Sequence, residues 1–327
     1  MNVSEERTKV AQDYEALMPS YQRLVGEVTF ALENRIKTSG LKVVSVHGRV
    51  KTLDSVVNKL ERKEYKDPLS DIYDFAGVRV VCQFTPDLDV IDNLIHELFE
   101  VHEIVDKSAS LGSDKTGYQG THYIITLGPN HRGARYDGLA ELKSEIQVRT
   151  ILQDAWAQIS HSLDYKSEAS VPERERRELY NVSSLLEVSQ NIFDRTRETR
   201  QRYSEEVRQK QPSAPEFLAQ PIDRETISAY TRWKFPNLPV KENLQELLIR
   251  DLDHSRFKTL KDMDDVVARA IDAVKAYSKE APDLFTFGTD YITKSMGFVD
   301  ERFRQAHGFG TQTREAFAKF SHLVRKS

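Results

Sequence analysis

Residues 144–150 read SEIQVRT, and their alternation sets the fold of the segment around them. Ile146 and Val148 fall on one side of an extended chain and Glu145, Gln147 and Arg149 on the other, which is the period of a β-strand. A solvated strand face is one account of the three polar groups. The other is chemical. Glu145 has no structural task in a strand interior, and polar clusters upstream have the spacing of a nucleoside triphosphate site.

Outward from this strand the pattern is mixed. ILQDAWAQISHSLDY (151–165) follows as a helix. THYIITL (121–127) precedes as a strand, across the polar turn PNHRGARYDG (129–138). Earlier strands are expected at Leu41–Val46 and in GVRVVCQF (77–84). Helices are expected from Ser4 to Lys37, in TLDSVVNKLERK (52–63), and where Val90, Ile91, Leu94, Ile95 and Leu98 step along one face. A loop rich in Ser, Gly, Asp and Lys is expected from Asp106 to Gly117. Only one helix or a turn separates successive strands, so the sheet is expected to be mixed, in an α/β (α+β) domain. Strand signals stop near Pro172. Residues 172–209 read as one or two long charged helices, and QKQPSAPEF (209–217) as a linker. Residues 221–327 read as all-helical, with Met263, Val266, Val267, Ala270, Ile271, Val274 and Tyr277 as an unbroken stripe. The expected division is therefore 1–209, a linker at 210–220, and 221–327.

Composition narrows the function classes. The chain has 327 residues, 30% charged and 39% apolar, with a net charge of −4. That balance argues against bulk nucleic-acid binding, so any anion site must be a local gathering of Arg and Lys. Cys82 is the only cysteine, which rules out a disulfide within the chain and a cysteine-built zinc site. MNVSEERTKV has no apolar core segment, and no window suits a membrane span, so a cytoplasmic location without membrane partners is expected.

Four clusters carry chemistry. In HGRVKTLDSVVNKLERK (47–63), Arg49 and Lys51 alternate just before a helix start, and Ser55 and Lys59 share a helical face. Cations beside free helix N–H groups make a polyphosphate cradle, and ordinary surface charge is the plainer reading. In DIYDFAGVRVV (71–81), Asp71 and Asp74 precede a strand that contains Arg79. An arginine among apolar residues needs a partner or a ligand. An Asp near phosphates suits Mg²⁺, whereas a structural Asp–Arg pair is the alternative. In DKTGYQGTHYIITL (114–127), Gly117 and Gly120 flank Tyr118, an arrangement that suits stacking on a base, and His122 begins the strand. A core tyrosine and a strand-end histidine are the plainer readings. The fourth cluster is Glu145 with Gln147 and Arg149. Asp74 and Glu145, on different strands, would share a metal or divide the roles of metal ligand and base.

Taken in order, G-R-x-K-x-x-x-S-x-x-x-K, D-I-Y-D-x-x-G-V-R, G-Y-x-x-x-H and E-I-Q-V-R-T resemble the synthetase domain of the RelA/SpoT family over residues 41–166. The small alarmone synthetases are most similar. The resemblance implies a nucleotidyltransferase-like mixed sheet flanked by helices and transfer of pyrophosphate from ATP to the 3′-hydroxyl of GDP or GTP, with Mg²⁺ as cofactor. It implies Arg49 and Arg79 around the adenine, and Lys51, Ser55 and Lys59 on the ATP phosphates. Asp74 would bind the metal, and Glu145 would bind it or activate the hydroxyl. Lys115, Tyr118, His122, Gln147 and Arg149 would serve the acceptor. The helical segment at 172–209 implies a homo-oligomer.

The sequence departs from the family before Tyr118. SLGSDKTGY stands where K-x-N-G-Y is usual, with Lys115 displaced by one position and Thr116 in place of asparagine. Acceptor identity is therefore open among guanine nucleotides, an adenine nucleotide giving (p)ppApp, and the tRNA 3′ end used by toxin-type relatives. A nucleotide-binding sensor or scaffold is the non-enzymatic alternative. No hydrolase domain is expected ahead of residue 41. Residues 221–327 are open among an oligomerisation element, a regulatory domain responding to a ligand or protein, a neutralising domain, and a packed helical extension. Within them TRWKFPNL (231–238) and DLFTFGTDY (283–291) are read either as a partner surface or as buried packing.

Overall fold

A computed structural model describes residues 3–62, 65, 68–106, 120–163, 172–209, 215–253 and 256–326. Its contacts divide the chain into two units, Met1–Arg197 and Glu198–Ser327.

The first unit is built on a five-stranded sheet of order β1-β2-β5-β4-β3. The strands are β1 (Val43–Val50), β2 (Ala76–Cys82), β3 (Phe99–Asp106), β4 (Thr121–Leu127) and β5 (Ser144–Thr150). β2 and β5 run parallel, and the other neighbouring pairs are antiparallel, so the sheet is mixed as expected. Helices α1 (Val3–Ser39), α2 (Leu53–Arg62), α3 (Pro68–Asp71), α4 (Pro86–Leu98) and α5 (Ile151–Ser162) accompany it. β3 was not legible in the sequence. It leaves α4 with no turn between them, because Phe99 adopts extended backbone at the helix C-cap. As an edge strand it carries Glu100 and Glu103, charges that discourage pairing with another chain.

The core lies on one face of this sheet. Tyr14, Tyr21, Leu24, Val28 and Leu32 of α1 are buried against it. Phe75, just ahead of β2, packs its ring on Tyr14 and Tyr21, with centroids 4.7 and 5.4 Å away. Gly48 permits the closest approach: a Cβ there would fall 2.4 Å from Val25 Cγ1 and 2.5 Å from Thr29 Oγ1 of α1. β5 alternates accordingly, with Ile146 and Val148 buried in the core and Glu145, Gln147 and Arg149 on the opposite face.

α6 (Glu173–Gln209) is a single helix where one or two were expected. Beyond it lie α7 (Pro215–Leu218), α8 (Arg224–Lys234), α9 (Glu242–Asp251), α10 (Leu260–Glu280), α11 (Gly288–Val299), α12 (Glu301–His307) and α13 (Thr311–Phe320). The second unit has its own core, in which Met263, Val266, Val267, Ala270, Val274 and Tyr277 of the expected stripe are buried, whereas Ile271 is only half-buried. The division at 197/198 does not fall in the expected linker. Pro215–Leu218 is a helical turn with Phe217 fully buried, so Pro215 starts a packed turn; residues 210–214 of the expected linker lie outside the described residues. The aromatic segments are likewise packing: Tyr291 lies against Phe235 and Phe285 at 5.0 and 4.9 Å.

Candidate active site

The polar face of the sheet opens into a cleft of about 280 Å³ lined by His47, Arg49, Asp74, Gly77, Val78, Arg79, Glu145 and Gln147. Strand register accounts for this grouping. His47 and Arg49 share the exposed face of β1, opposite Arg79 and Gly77 of β2. β2 in turn pairs Gly77 with Glu145 and Arg79 with Gln147 of β5. Gly77 adds no side chain between Arg49 and Glu145, which keeps the cleft open.

Asp74 sits between α3 and β2 and is gripped by two lysines. Lys51, at the end of β1, pairs with one carboxylate oxygen, and Lys59 of α2 donates to the other at 2.8 Å. Burial works to raise this carboxyl, but the hydrogen bonds and charges of Lys51 and Lys59 outweigh it and hold the group below its usual range. Lys51 is itself fixed through its backbone, whose carbonyl accepts from Tyr14 Oη at 2.6 Å. Ser55 is exposed in the first turn of α2, with its hydroxyl 2.8 Å from that of Thr52, outside the cleft lining.

Glu145 is held at both oxygens. Oε1 lies 2.7 Å from His122 Nδ1, and Oε2 accepts from Gln147 Nε2 at 2.7 Å. Burial would raise its pKa, yet the hydrogen bonds of His122 and then Gln147 prevail and lower it, against the negative charge of Asp74. His122 is not open at the cleft. It is 5% exposed, and its Nε2 lies 3.3 Å from Arg149 Nη2. Arg149 is largely enclosed, with 11% of its side chain exposed. Burial first, and then the like charge of Arg79, lower its guanidinium from the ordinary value, while Asp154 and Glu145 oppose that. Gly120 makes room for Arg149: a Cβ there would stand 2.3 Å from both Arg149 Cγ and the Val148 carbonyl oxygen.

Of the residues expected from sequence, Arg49, Asp74, Arg79, Glu145 and Gln147 line one cleft, and Lys51 and Lys59 reach it through Asp74. Lys115 and Tyr118 lie outside the described residues. Two residues were missed. His47 is a cleft residue two places before Arg49, and the period of the strand was sufficient to find it. Asp154 of α5 forms ion pairs with Arg79 at 3.1 Å and Arg149 at 3.6 Å. Nothing in the sequence around it marks a site residue, because only tertiary packing brings both arginines to it.

Among the described residues no group of three or more His, Cys, Asp or Glu is arranged to hold a metal. Asp74 and Glu145 nevertheless face one cleft. An all-oxygen pair fits a hard cation that completes its shell with phosphate oxygens and water. Among the described residues no helix is long and apolar enough to cross a membrane.

Residues 48–170 match the region found in RelA / SpoT proteins. The chain is 32% identical over 141 residues to GTP pyrophosphokinase YwaC of Bacillus subtilis (strain 168), and 30% identical over 141 residues to GTP pyrophosphokinase YjbM of the same organism. These matches take in 42% of this chain and span 65% and 64% of the two relatives' lengths. The fold is similar to the crystal structure of small alarmone synthetase 1 from Bacillus subtilis, with TM-score 0.50 and 26% identity over 58% of this chain and 98% of that one. A GTP pyrophosphokinase family protein from Streptococcus pneumoniae shares the fold at TM-score 0.50 and 24% identity, over 58% of this chain and 96% of its own.

Proposed function

We propose, from the match of residues 48–170 to the region found in RelA / SpoT proteins, that the chain is a GTP diphosphokinase. It transfers the β,γ-pyrophosphoryl unit of ATP to the 3′-hydroxyl of GDP or GTP, forming ppGpp or pppGpp and AMP. The observation that carries this reading is that Arg49 and Arg79 share one cleft with the two carboxylates Asp74 and Glu145. The names of the two Bacillus relatives support it.

The chemistry follows from what each group can do. Transfer of this kind needs positioning and charge neutralisation more than covalent participation by the protein. Arg49 and Arg79, on adjacent strands, present flat guanidinium planes to the adenine. Lys51 and Lys59, both paired with Asp74 in the structure, would exchange it for the triphosphate when ATP binds and free its oxygens. Each oxygen of Glu145 accepts one hydrogen bond and keeps lone-pair capacity for another. Held as a carboxylate, Glu145 takes the proton of the 3′-hydroxyl as that oxygen bonds to the β-phosphorus. The bond from the β-phosphorus to the oxygen bridging it to the α-phosphorus breaks, and AMP leaves. Asp74 and Glu145 would hold Mg²⁺, which supplies charge neutralisation at the phosphates. Gln147 meets the acceptor at the cleft; Lys115 and Tyr118, which lie outside the described residues, are assigned to the acceptor by the sequence resemblance alone. His122 and Arg149 serve the acceptor indirectly, by holding Glu145. ATP and GTP as substrates imply a cytoplasmic site of action.

A second copy of the chain is the proposed partner. Val182, Leu185, Val188 and Ile192 form an exposed apolar row on α6 at helical spacing. Light scattering that gives a monomer mass at assay concentrations would rule this out.

The test of the activity is to incubate the purified chain with ATP labelled at the γ-phosphate and, separately, GDP, GTP, AMP or deacylated tRNA. Label on the guanine nucleotides is expected. Label on tRNA or AMP alone would replace the acceptor, and nucleotide binding without transfer would replace the enzyme with a sensor.

A further inference from the structure

Behind the cleft, six side chains close into a ring that joins Glu145 to Asp154. From Glu145 one arm runs through His122, at 2.7 Å, to Arg149, at 3.3 Å, and on to Asp154 at 3.6 Å. The other runs through Gln147, at 2.7 Å, to Arg79, at 3.5 Å, and on to Asp154 at 3.1 Å. The elements are β4, β5, β2 and the first turn of α5.

Donor chemistry gives the ring a unique direction. A guanidinium only donates. His122 Nε2, facing Arg149, therefore accepts, and the ring proton sits on Nδ1, pointing at Glu145. Gln147 must likewise turn its oxygen to Arg79 and its N–H to Glu145. Every hydrogen bond then runs from donor to acceptor, Glu145 accepts from both sides, and Asp154 closes the ring as the ion-pair partner that both arginines share. Two guanidiniums and two carboxylates balance in charge. Asp154 is well placed to be the fixed end: its side chain is 13% exposed, and a capping box between Thr150 and Gln153 anchors the start of its helix.

We infer that Asp154 is a positioning residue: by clamping Arg79 and Arg149 it orients Gln147 and His122, and through them fixes both oxygens of Glu145 for the transfer. Only the activity half of its test rests on the proposed reaction. A purely structural Asp154 would stabilise the first turn of α5 and leave His122 indifferent to its charge.

Asp154→Asn keeps the shape of the side chain and removes its charge. The experiment uses the full chain labelled with ¹⁵N at histidine, with the His122 signals assigned by their loss in His122→Gln. In wild type the His122 ring is expected to carry its proton on Nδ1, the less common tautomer in solution. In Asp154→Asn that pattern should give way to an Nε2–H or mixed pattern. The kcat for pyrophosphoryl transfer should fall about tenfold to a hundredfold, the range for groups that orient a ligand from behind, at a temperature where circular dichroism shows the variant still folded. A wild-type His122 protonated on Nε2 would overturn the inference, and that measurement stands even where Asp154→Asn does not fold. So would a folded Asp154→Asn with unchanged His122 signals and unchanged kcat. Should wild type transfer to no nucleotide, the reaction assignment fails, while the tautomer still decides the ring.

Discussion

His122 reaches Glu145 diagonally. In the antiparallel ladder of β4 and β5 it is paired with Gln147, yet its Nδ1 lies 2.7 Å from Glu145 Oε1, two residues along the same face. Diagonal neighbours on one sheet face are within reach of a side chain of this size. Glu145 is thereby held by its neighbour within β5 and by a buried ring on the next strand, which is how a carboxylate is fixed on an open sheet face.

Asp74 is expected to be needed for turnover and nearly dispensable for folding. Its pairs with Lys51 and Lys59 are part-exposed, with 30% of the Asp74 side chain open to solvent, so their loss should cost about 1 kcal/mol or less. Asp74→Asn should lower kcat/KM for ATP by about a hundredfold, the scale for one preorganised electrostatic group. ATP titrations at fixed acceptor and a thermal melt check both halves.

Gly48→Ala should destabilise the first unit by about 1–3 kcal/mol, because the added carbon meets Val25 and Thr29 of α1, short side chains with little room to move. Urea unfolding followed by circular dichroism measures this. A neutral effect would mean that α1 does not press on β1 where the site residues His47 and Arg49 begin.

Cys82 should be silent towards thiol reagents. Burial, and then the charge of Asp87, push its thiol up to about 12, so little thiolate forms near neutral pH. Titration with a disulfide reagent should give no rapid reaction in the native protein and one equivalent after denaturation.

In the second unit, acid stability should depend on Asp251. Burial works to raise this carboxyl, but hydrogen bonds from Arg250 and His307 outweigh it, the latter at 2.7 Å. Its folded pKa lies below the ordinary 3.8. The stabilisation is therefore present above that value and lost as pH falls through the folded pKa. Melting temperatures of wild type should drop on acidification from about pH 5 to about pH 2, and Asp251→Asn should show a shallower drop.

Periodicity made most of this protein readable. The alternation in SEIQVRT placed Glu145, Gln147 and Arg149 on one face, and the α10 stripe named the core of the second unit, since both follow from burying one side of a regular element. β3 was hidden because α4 passes into it without a turn residue. The packed turn at Pro215–Leu218 was hidden because prolines mark a bend without saying whether it is buried. Asp154 was hidden for a different reason. Its role depends on two arginines from other strands, and no local spacing encodes such a meeting.

The cleft is proposed to move pyrophosphate with Glu145 as the base. The direct measurement is product analysis with ATP and GDP, comparing wild type with a folded Glu145→Gln. Wild type should yield AMP and the 3′-pyrophosphorylated guanine nucleotide in equal amounts, and the variant should be slower by at least about a hundredfold, the contribution of a positioned base. AMP formed without that nucleotide, or a folded Glu145→Gln that matches wild type, would show that Glu145 is not the base of such a transfer.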